Sequence, residues 1–338
     1  MKFSRILGTG SFVPPRIWTN QDLMALMDTT DEWIVQRTGI KQRHWVDQDS
    51  DVCSSDLALE AAKKALDSAG VKKEEIEMVI FATLSPDHEF PGTACFFQAK
   101  LGIPGIPALD VRQQCTGFIY GLSIADQFIK SGMYIKILLI GAEVHSKGLD
   151  KSTKGRDVAV LFGDGAGAVV LGASEGAVGG KDPQILSTHL HADGRFAREL
   201  WISEPSIDHK GDRLTVERLK DGHQYPQMNG KTVFVHAVKR IPEVLMEALE
   251  ANKLNLSDID LFVFHQANLR IVEMVASTLG IPGEKVFNTI EKFGNTTAAT
   301  IPIGLDEAVK AGKLKPGMLV ASAAFGSGFT WASTVIRW

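Results

Sequence analysis

Cysteine is scarce here: Cys53, Cys95 and Cys115 are the only three thiols, too few and too widely spaced for a disulfide scaffold or a zinc site of thiolates. They fit a reducing, cytoplasmic setting. Long apolar runs are also missing, and the opening MKFSRILGTGSFVPP has no continuous hydrophobic segment of signal-peptide type, so membrane insertion is not expected. Nor does one sign of charge dominate. The formal net charge is -4 with Lys and Arg scattered, which argues against a nucleic-acid partner with a broad footprint and leaves room only for a local basic patch. What the chain has in quantity is hydrophobic material, 44% of its residues, enough for one large core or two coupled ones.

In chain order, Phe3 to Leu7 predicts a first strand, followed by a turn region with Gly8, Gly10, Pro14 and Pro15. The GTGS piece is followed by neither a dinucleotide fingerprint nor a Walker pattern, so a tight turn is the simpler reading. Asn20 is expected to cap a helix starting at Gln21, and Thr30 or Asp31 a second helix through Trp33. The segment WIVQRTGIKQR sets Trp33 beside Arg37, Lys41 and Arg43. Such a set can stack on an adenine and hold phosphates, or it is an aromatic packed beneath a solvated charge run.

An internal repeat decides the architecture. Ala65–Phe81 lies over Ala248–Phe264 at a constant offset of 183, LGIPG at Leu101 returns at Leu279, and LSIADQFIKSG matches IGLDEAVKAGK so that Gly132 falls on Gly312. Repeats outrank local propensity, and the chain reads as two similar halves. Strands alternate with helices in each, which predicts α/β layers with parallel or mixed sheets. We place the halves at 1–175 and 176–338, with the boundary in the Gly/Ser-rich and polar region between Gly172 and Lys231. Within it, Asp193–Asn229 is charged and lacks periodicity, and its length suggests a lid or a wall of a site.

Chemistry gathers at matched positions of the repeat. Leu109–Arg112 reads as a strand end and Thr116–Ile129 as a helix with Phe118, Leu122, Ala125 and Ile129 on one face. Cys115 at this junction is either a nucleophile whose pKa the helix end lowers or buried packing. At the offset aligning Gly132 with Gly312, Cys115 falls on Asn295, which also starts a helix, and His265 directly follows the repeated strand LFVF. A pseudo-twofold axis would bring thiol, amide and imidazole together where strand ends form a crevice. Histidine can activate a thiol or donate to an oxyanion, and an asparagine amide only donates. The glycine-rich AAFGSGFTW brings a backbone N–H close enough for an oxyanion hole, or forms a plain turn.

Over almost its full length the sequence resembles the beta-ketoacyl-acyl-carrier-protein synthase III family of the thiolase superfamily. The stretches that carry the resemblance are DEWIVQRTGI, LDVRQQCTGFIYGLSIADQFIKSG, VLFGDGAGAVVL, HADGRF, MNGKTVF, FHQANLRI, FGNTTAATIPIGLDEAV and FGSGFTWAS, in the family's order. It implies a duplicated thiolase-like fold of five layers, α-β-α-β-α, a homodimer, and a site of Cys115, His265 and Asn295. Cys115 would take an acyl group from acyl-CoA, with the N–H groups of Cys115 and Ser327 holding the oxyanion. His265 and Asn295 would stabilise the enolate formed as malonyl-acyl-carrier protein loses carbon dioxide, beside Phe325. Trp33, Arg37 and Arg156 would meet the nucleotide end of coenzyme A, Asn268 would support the site, and Arg270 would help dock the carrier protein. Coenzyme A enters as part of a substrate thioester, and no metal or redox cofactor is implied.

The sequence departs from the family pattern at several points. Gln113 and Gln114 replace small residues before the nucleophile, Thr116 follows it, and Val235 with His236 stands where a basic residue is usual. The 193–228 segment is longer than in the ordinary initiating enzymes. Phe90 lies in the loop expected to cross the dimer interface and close the acyl pocket, next to Glu89, which some relatives use as a base in joining two acyl-CoA molecules without decarboxylation. Acyl transfer to a hydroxyl or amine is the other alternative.

Overall fold

Every side chain of the stretch MVIFA, Met78–Ala82, is buried, as a strand covered on both faces requires. In the computed structural model, which describes residues 3–174, 176 and 180–338, this stretch lies inside a five-stranded sheet. Its strands are β1 (Phe3–Phe12), β2 (Met78–Ala82), β3 (Ala108–Val111), β4 (Lys136–Glu143) and β5 (Gly165–Ser174), in the spatial order β1-β5-β4-β2-β3. A second sheet is built from β6 (Gln184–Ala192), β7 (Leu261–Phe262), β8 (Leu319–Gly326) and β9 (Thr330–Arg337), in the order β7-β8-β9-β6.

The second sheet repeats the first. In one, β2 and β4 run parallel and β5 and β1 follow antiparallel; in the other, β7 and β8 run parallel and β9 and β6 follow antiparallel. A parallel bridge from Phe262 to Val286 stands in the place of β3.

Apart from α1 (Asp31–Thr38) at the rim of the site, the larger helices form three layers. On the outer face of the first sheet lie α2 (Ser54–Ala69) and α3 (Thr93–Leu101), whose Leu57, Ala61, Ala65 and Phe97 pack on Phe81 and Ile140. Between the sheets runs α4 (Gly117–Ser131). On the outer face of the second sheet lie α5 (Gly230–Ala251) and α6 (Leu269–Leu279), whose Leu245, Ala248, Val272 and Val275 pack on Phe262 and Ala321. The partner of α4 in the middle layer is α7 (Thr300–Lys310). Phe118, Leu122 and Ile129 of α4 and Ile301 and Leu305 of α7 meet Ile80 and Leu139 of one sheet and Val263 and Val320 of the other. The result is the duplicated α-β-α-β-α arrangement, with both middle helices starting at the same end of the molecule's core.

Three local expectations change. β1 does not stop at Leu7; it runs through Gly8 and Gly10 to Phe12. Those glycines serve packing instead of a turn: a Cβ on Gly8 would lie 2.4 Å from Ala69 N, and one on Gly10 2.3 Å from Ala61 O, so only glycine lets β1 press against α2. Asn20 is no cap. The helix Asn20–Met24 is capped by Thr19, which forms a reciprocal box with Asp22, while the buried Asn20 amide donates to Asp31 and to Ile40 O. Arg43 cannot face a phosphate either, because it is wholly buried and donates to Trp18 O, Asn20 Oδ1 and Val160 O. Thr30 caps α1 as expected, accepting from Trp33 N at 3.0 Å.

The boundary expected at 175/176 falls on Glu175, outside the described residues. Among the described residues no helix is long and apolar enough to cross a membrane.

Candidate active site

After β3 the chain makes one 3-10 turn, Gln114–Thr116, and enters α4. Gln114 takes φ of +45°, a left-handed conformation that a side chain adopts only under local constraint. This turn places Cys115 in the core end of the site, 8% exposed. Gly326, the last residue of β8, lies directly against it: a Cβ there would sit 2.6 Å from Cys115 Cβ and 3.1 Å from Sγ. The backbone N–H groups of Cys115 and Ser327 are directed at the sulfur.

The thiol is not the low-pKa group expected of a helix end. Burial first, and then the Glu143 carboxyl, push it up to about 12, outweighing the two N–H groups. The helix proper begins only at Gly117, and Glu143 is itself fully buried. It accepts from the hydroxyls of Thr83 and Ser85 and from the N–H groups of Leu84, Ser85 and Ala298. Burial raises its own pKa to about 7.

His265 follows β7, its N–H bonded to Ala323 O at 2.9 Å, so the strand ladder fixes its backbone. Its Nδ1 lies 2.7 Å from Thr300 Oγ1. That hydroxyl donates to Thr297 O at 3.0 Å, and it therefore accepts from Nδ1–H and leaves Nε2 with a free lone pair. Nε2 is buried without a partner among the described residues. Burial holds the imidazole neutral, with its pKa down at about 3.

Asn295 is gripped by its backbone, its N–H on Leu161 O at 2.8 Å and its carbonyl on Gly163 N at 3.0 Å. Its Oδ1 accepts from Thr297 N at 2.9 Å, which assigns the amide orientation and leaves the NH₂ as the donating end. Cys115, His265 and Asn295 line one cavity of about 530 Å³. A neutral thiol, a neutral base and a neutral donor thus meet, an arrangement suited to acyl transfer with an oxyanion held by N–H groups.

The other expected residues fall into place unevenly. Trp33 and Arg37 line the same cavity, with Arg37 and Arg156 stacked on the Trp33 ring at 4.5 Å and 4.6 Å. Asn268 caps α6 and donates to Arg37 O at 2.9 Å, which ties the rim to the helix that carries Arg270. Phe325 lines the cavity and Ser327 lines a second, smaller one that also touches Cys115. The Ser327 hydroxyl donates to Leu200 O, so the 193–228 segment reaches the site. Phe90 is 83% exposed and lines neither cavity. Glu89 lies 3.7 Å from Arg112 and 3.1 Å from Arg213, an ion-paired carboxylate instead of a free base.

Sequence reasoning passed over Glu143, His145, Thr297 and Thr300. A charged residue closing the apolar run ILLIGAE was a usable signal for Glu143; nothing in the local pattern points to the others.

Residues 109–194 match the family described as 3-Oxoacyl-[acyl-carrier-protein (ACP)] synthase III, and residues 249–338 match that family's C-terminal model. The chain is 45% identical to Beta-ketoacyl-[acyl-carrier-protein] synthase III 1 of Vibrio parahaemolyticus serotype O3:K6, over 99% of both chains. It is 43% identical to Beta-ketoacyl-[acyl-carrier-protein] synthase III of Escherichia coli O9:H4, again over 99% of both. Among solved structures, 3-oxoacyl-[acyl-carrier-protein] synthase III from Aquifex aeolicus VF5 superimposes with a TM-score of 0.89 at 41% identity, covering 99% of this chain and 100% of that one.

Proposed function

Because the chain belongs to the 3-oxoacyl-[acyl-carrier-protein] synthase III family, we propose that Cys115, His265 and Asn295 carry its reaction. That reaction is a decarboxylative Claisen condensation of an acyl-CoA-derived acyl group with malonyl-acyl-carrier protein. The observation that supports this most is the unpartnered, buried Nε2 of a neutral His265 in the cavity that holds Cys115 and Asn295.

In the first stage Cys115 Sγ attacks the thioester carbonyl of acyl-CoA while His265 Nε2 takes the thiol proton. The N–H groups of Cys115 and Ser327 receive the oxyanion. The C–S bond to coenzyme A then breaks, the proton passes to its sulfur, and an acyl-cysteine remains. A thiol held near 12 and an imidazole held near 3 make a standing thiolate–imidazolium pair costly, so the proton moves with the attack. Trp33, Arg37 and Arg156 hold the nucleotide end, and Asn268 holds Arg37.

In the second stage malonyl-acyl-carrier protein enters, guided by Arg270. Its C–C bond to the carboxylate breaks, carbon dioxide leaves, and the thioester oxygen takes the charge as an enolate. The Asn295 NH₂ donates to that oxygen. His265 donates from Nε2 in its other neutral tautomer, reached when Nε2 takes a proton from solvent and Nδ1 returns one to solvent, and the Thr300 hydroxyl, turned from Thr297 O, then donates to the bare Nδ1. The enolate carbon attacks the acyl-cysteine, and the departing thiolate takes a proton from solvent. Phe325 keeps the malonyl carboxylate in an apolar setting that favours losing its charge. These steps call on no metal and no redox cofactor. A cytoplasmic location and a homodimer, each chain of which holds both duplicated halves, 1–175 and 176–338, complete the reading, with the exposed Phe90 loop supplied to the partner.

The stages separate by mutation. Asn295→Ala should still form the acyl-cysteine and release coenzyme A, yet lose carbon dioxide release from malonyl-acyl-carrier protein. Equal decarboxylation by both proteins would overturn the assignment of Asn295.

A further inference from the structure

The second cavity, about 260 Å³, shares Cys115, Phe162 and Leu200 with the first and is otherwise separately lined. In the reaction proposed above it is the room available to the acyl group on sulfur. Leu84, Trp201, Ile202 and Pro226 give it apolar walls, three of them from the 193–228 segment. Arg112, Gln114, His145 and Ser327 are the polar exceptions, and the Ser327 hydroxyl is already given to Leu200 O.

His145 is the deepest of these, 6% exposed. Its Nε2 lies 2.7 Å from Thr297 Oγ1. The Thr297 hydroxyl is buried and has no other partner among the described residues; donating to Nε2 is the one arrangement that leaves its buried O–H bonded, which favours the tautomer with the ring proton on Nδ1. Nδ1–H has no acceptor among the described residues. The Gln114 side chain likewise makes no hydrogen bond there, and its backbone is held at φ of +45° beside the nucleophile. Arg112 is half-exposed and only loosely paired with Glu89 at 3.7 Å. A saturated acyl chain in this cavity would cover the Nδ1–H with methylene groups and leave it unbonded.

We propose that the acyl group this protein accepts carries an oxygen acceptor along its chain, which binds His145 Nδ1–H with Gln114 and Arg112 completing the subsite. The substrate class is an oxygen-bearing acyl-CoA, hydroxyacyl or dicarboxylic, in place of a plain alkanoyl-CoA. The inference rests on Cys115 being the acyl carrier.

The test follows Cys115 acylation by butyryl-, 3-hydroxybutyryl- and succinyl-CoA with intact-protein mass spectrometry. One of the oxygen-bearing substrates should acylate Cys115 about tenfold faster than butyryl-CoA, the discrimination of roughly one buried hydrogen bond. His145→Leu should abolish that preference; Gln114→Ala, at a half-exposed position, should reduce it and serves if His145→Leu does not fold. Faster reaction with succinyl-CoA that Arg112→Ala removes identifies the acceptor as a carboxylate. Faster reaction with 3-hydroxybutyryl-CoA that survives Arg112→Ala identifies a hydroxyl. A wild-type preference for butyryl-CoA, or a preference that neither His145→Leu nor Gln114→Ala changes, overturns the inference and leaves the acyl-cysteine standing. No acylation of Cys115 by any of the three overturns both.

Discussion

Replacing Glu143 by Gln should remove a titration that couples stability to the reactivity of Cys115. Burial raises this carboxyl from 4.5 to about 7, although five donors around it favour the charged form. A carboxyl that holds its proton more tightly in the folded chain than in the unfolded one stabilises the fold fully below pH 4.5, and this contribution is lost as the pH rises through about 7. The gap between the two values is worth about 3 kcal/mol. Buried His44, His145 and His265 act in the opposite sense, because their depressed pKa values give stability that is present above 6.5 and lost as the pH falls. Only the difference between wild type and Glu143→Gln isolates Glu143. The amide turns its NH₂ toward backbone donors, which costs about 1–3 kcal/mol at low pH. Urea denaturation of both proteins at one concentration, from about pH 5 to about pH 8, should therefore show the stability difference shift by about 3 kcal/mol in the variant's favour as wild type loses its contribution, closing or reversing the gap. The variant should also be alkylated faster at Cys115 near about pH 8, where the wild-type carboxylate opposes the thiolate. Parallel stability curves with unchanged alkylation would refute the reasoning.

Three further outcomes follow from the site. Iodoacetamide labelling of Cys115 should rise about tenfold per pH unit between about pH 8 and about pH 10, where Glu143 is already ionised, without levelling off, because a thiol held near 12 stays protonated; a plateau near about pH 9 would contradict this. Gly326→Ala puts a Cβ 2.6 Å from Cys115 Cβ, and coenzyme A release should fall roughly a hundredfold from the displaced thiol, with unchanged release as the contrary result. Thr300→Val leaves Nδ1 of His265 without its partner and should slow carbon dioxide release by roughly tenfold, with Thr300→Ser restoring it; equal rates for Val and Ser would remove Thr300 from the account.

The duplication was legible because it is written in matching residues: the 183-residue offset that lays Ala65–Phe81 over Ala248–Phe264 also lays β2 over β7 and β4 over β8. From that match, together with the one aligning Gly132 with Gly312, which lays Cys115 on Asn295, the meeting of Cys115, His265 and Asn295 in one cavity could be anticipated. The length of β1 could not, since Gly8 and Gly10 carry turn chemistry locally and only the pressure of α2 shows why they stand inside a strand. The state of the Cys115 thiol stays open in the sequence for a similar reason. A helix end is visible in sequence, whereas the depth of burial and the Glu143 carboxyl brought to it by β4 are tertiary facts. His265 is legible, but its tautomer depends on Thr300, the first residue of α7. Asn20 looked like a cap and is instead a buried bracket between Asp31, Ile40 and Arg43.

The most direct test of the account is intact-protein mass spectrometry of the chain exposed first to an acyl-CoA and then to malonyl-acyl-carrier protein, with Cys115→Ala as control. The account predicts an acyl adduct on Cys115, absent from the control, that disappears on addition of malonyl-acyl-carrier protein as carbon dioxide and a 3-oxoacyl product appear. An adduct that persists with malonyl-acyl-carrier protein and is released only by a second acyl-CoA, a hydroxyl or an amine would contradict it.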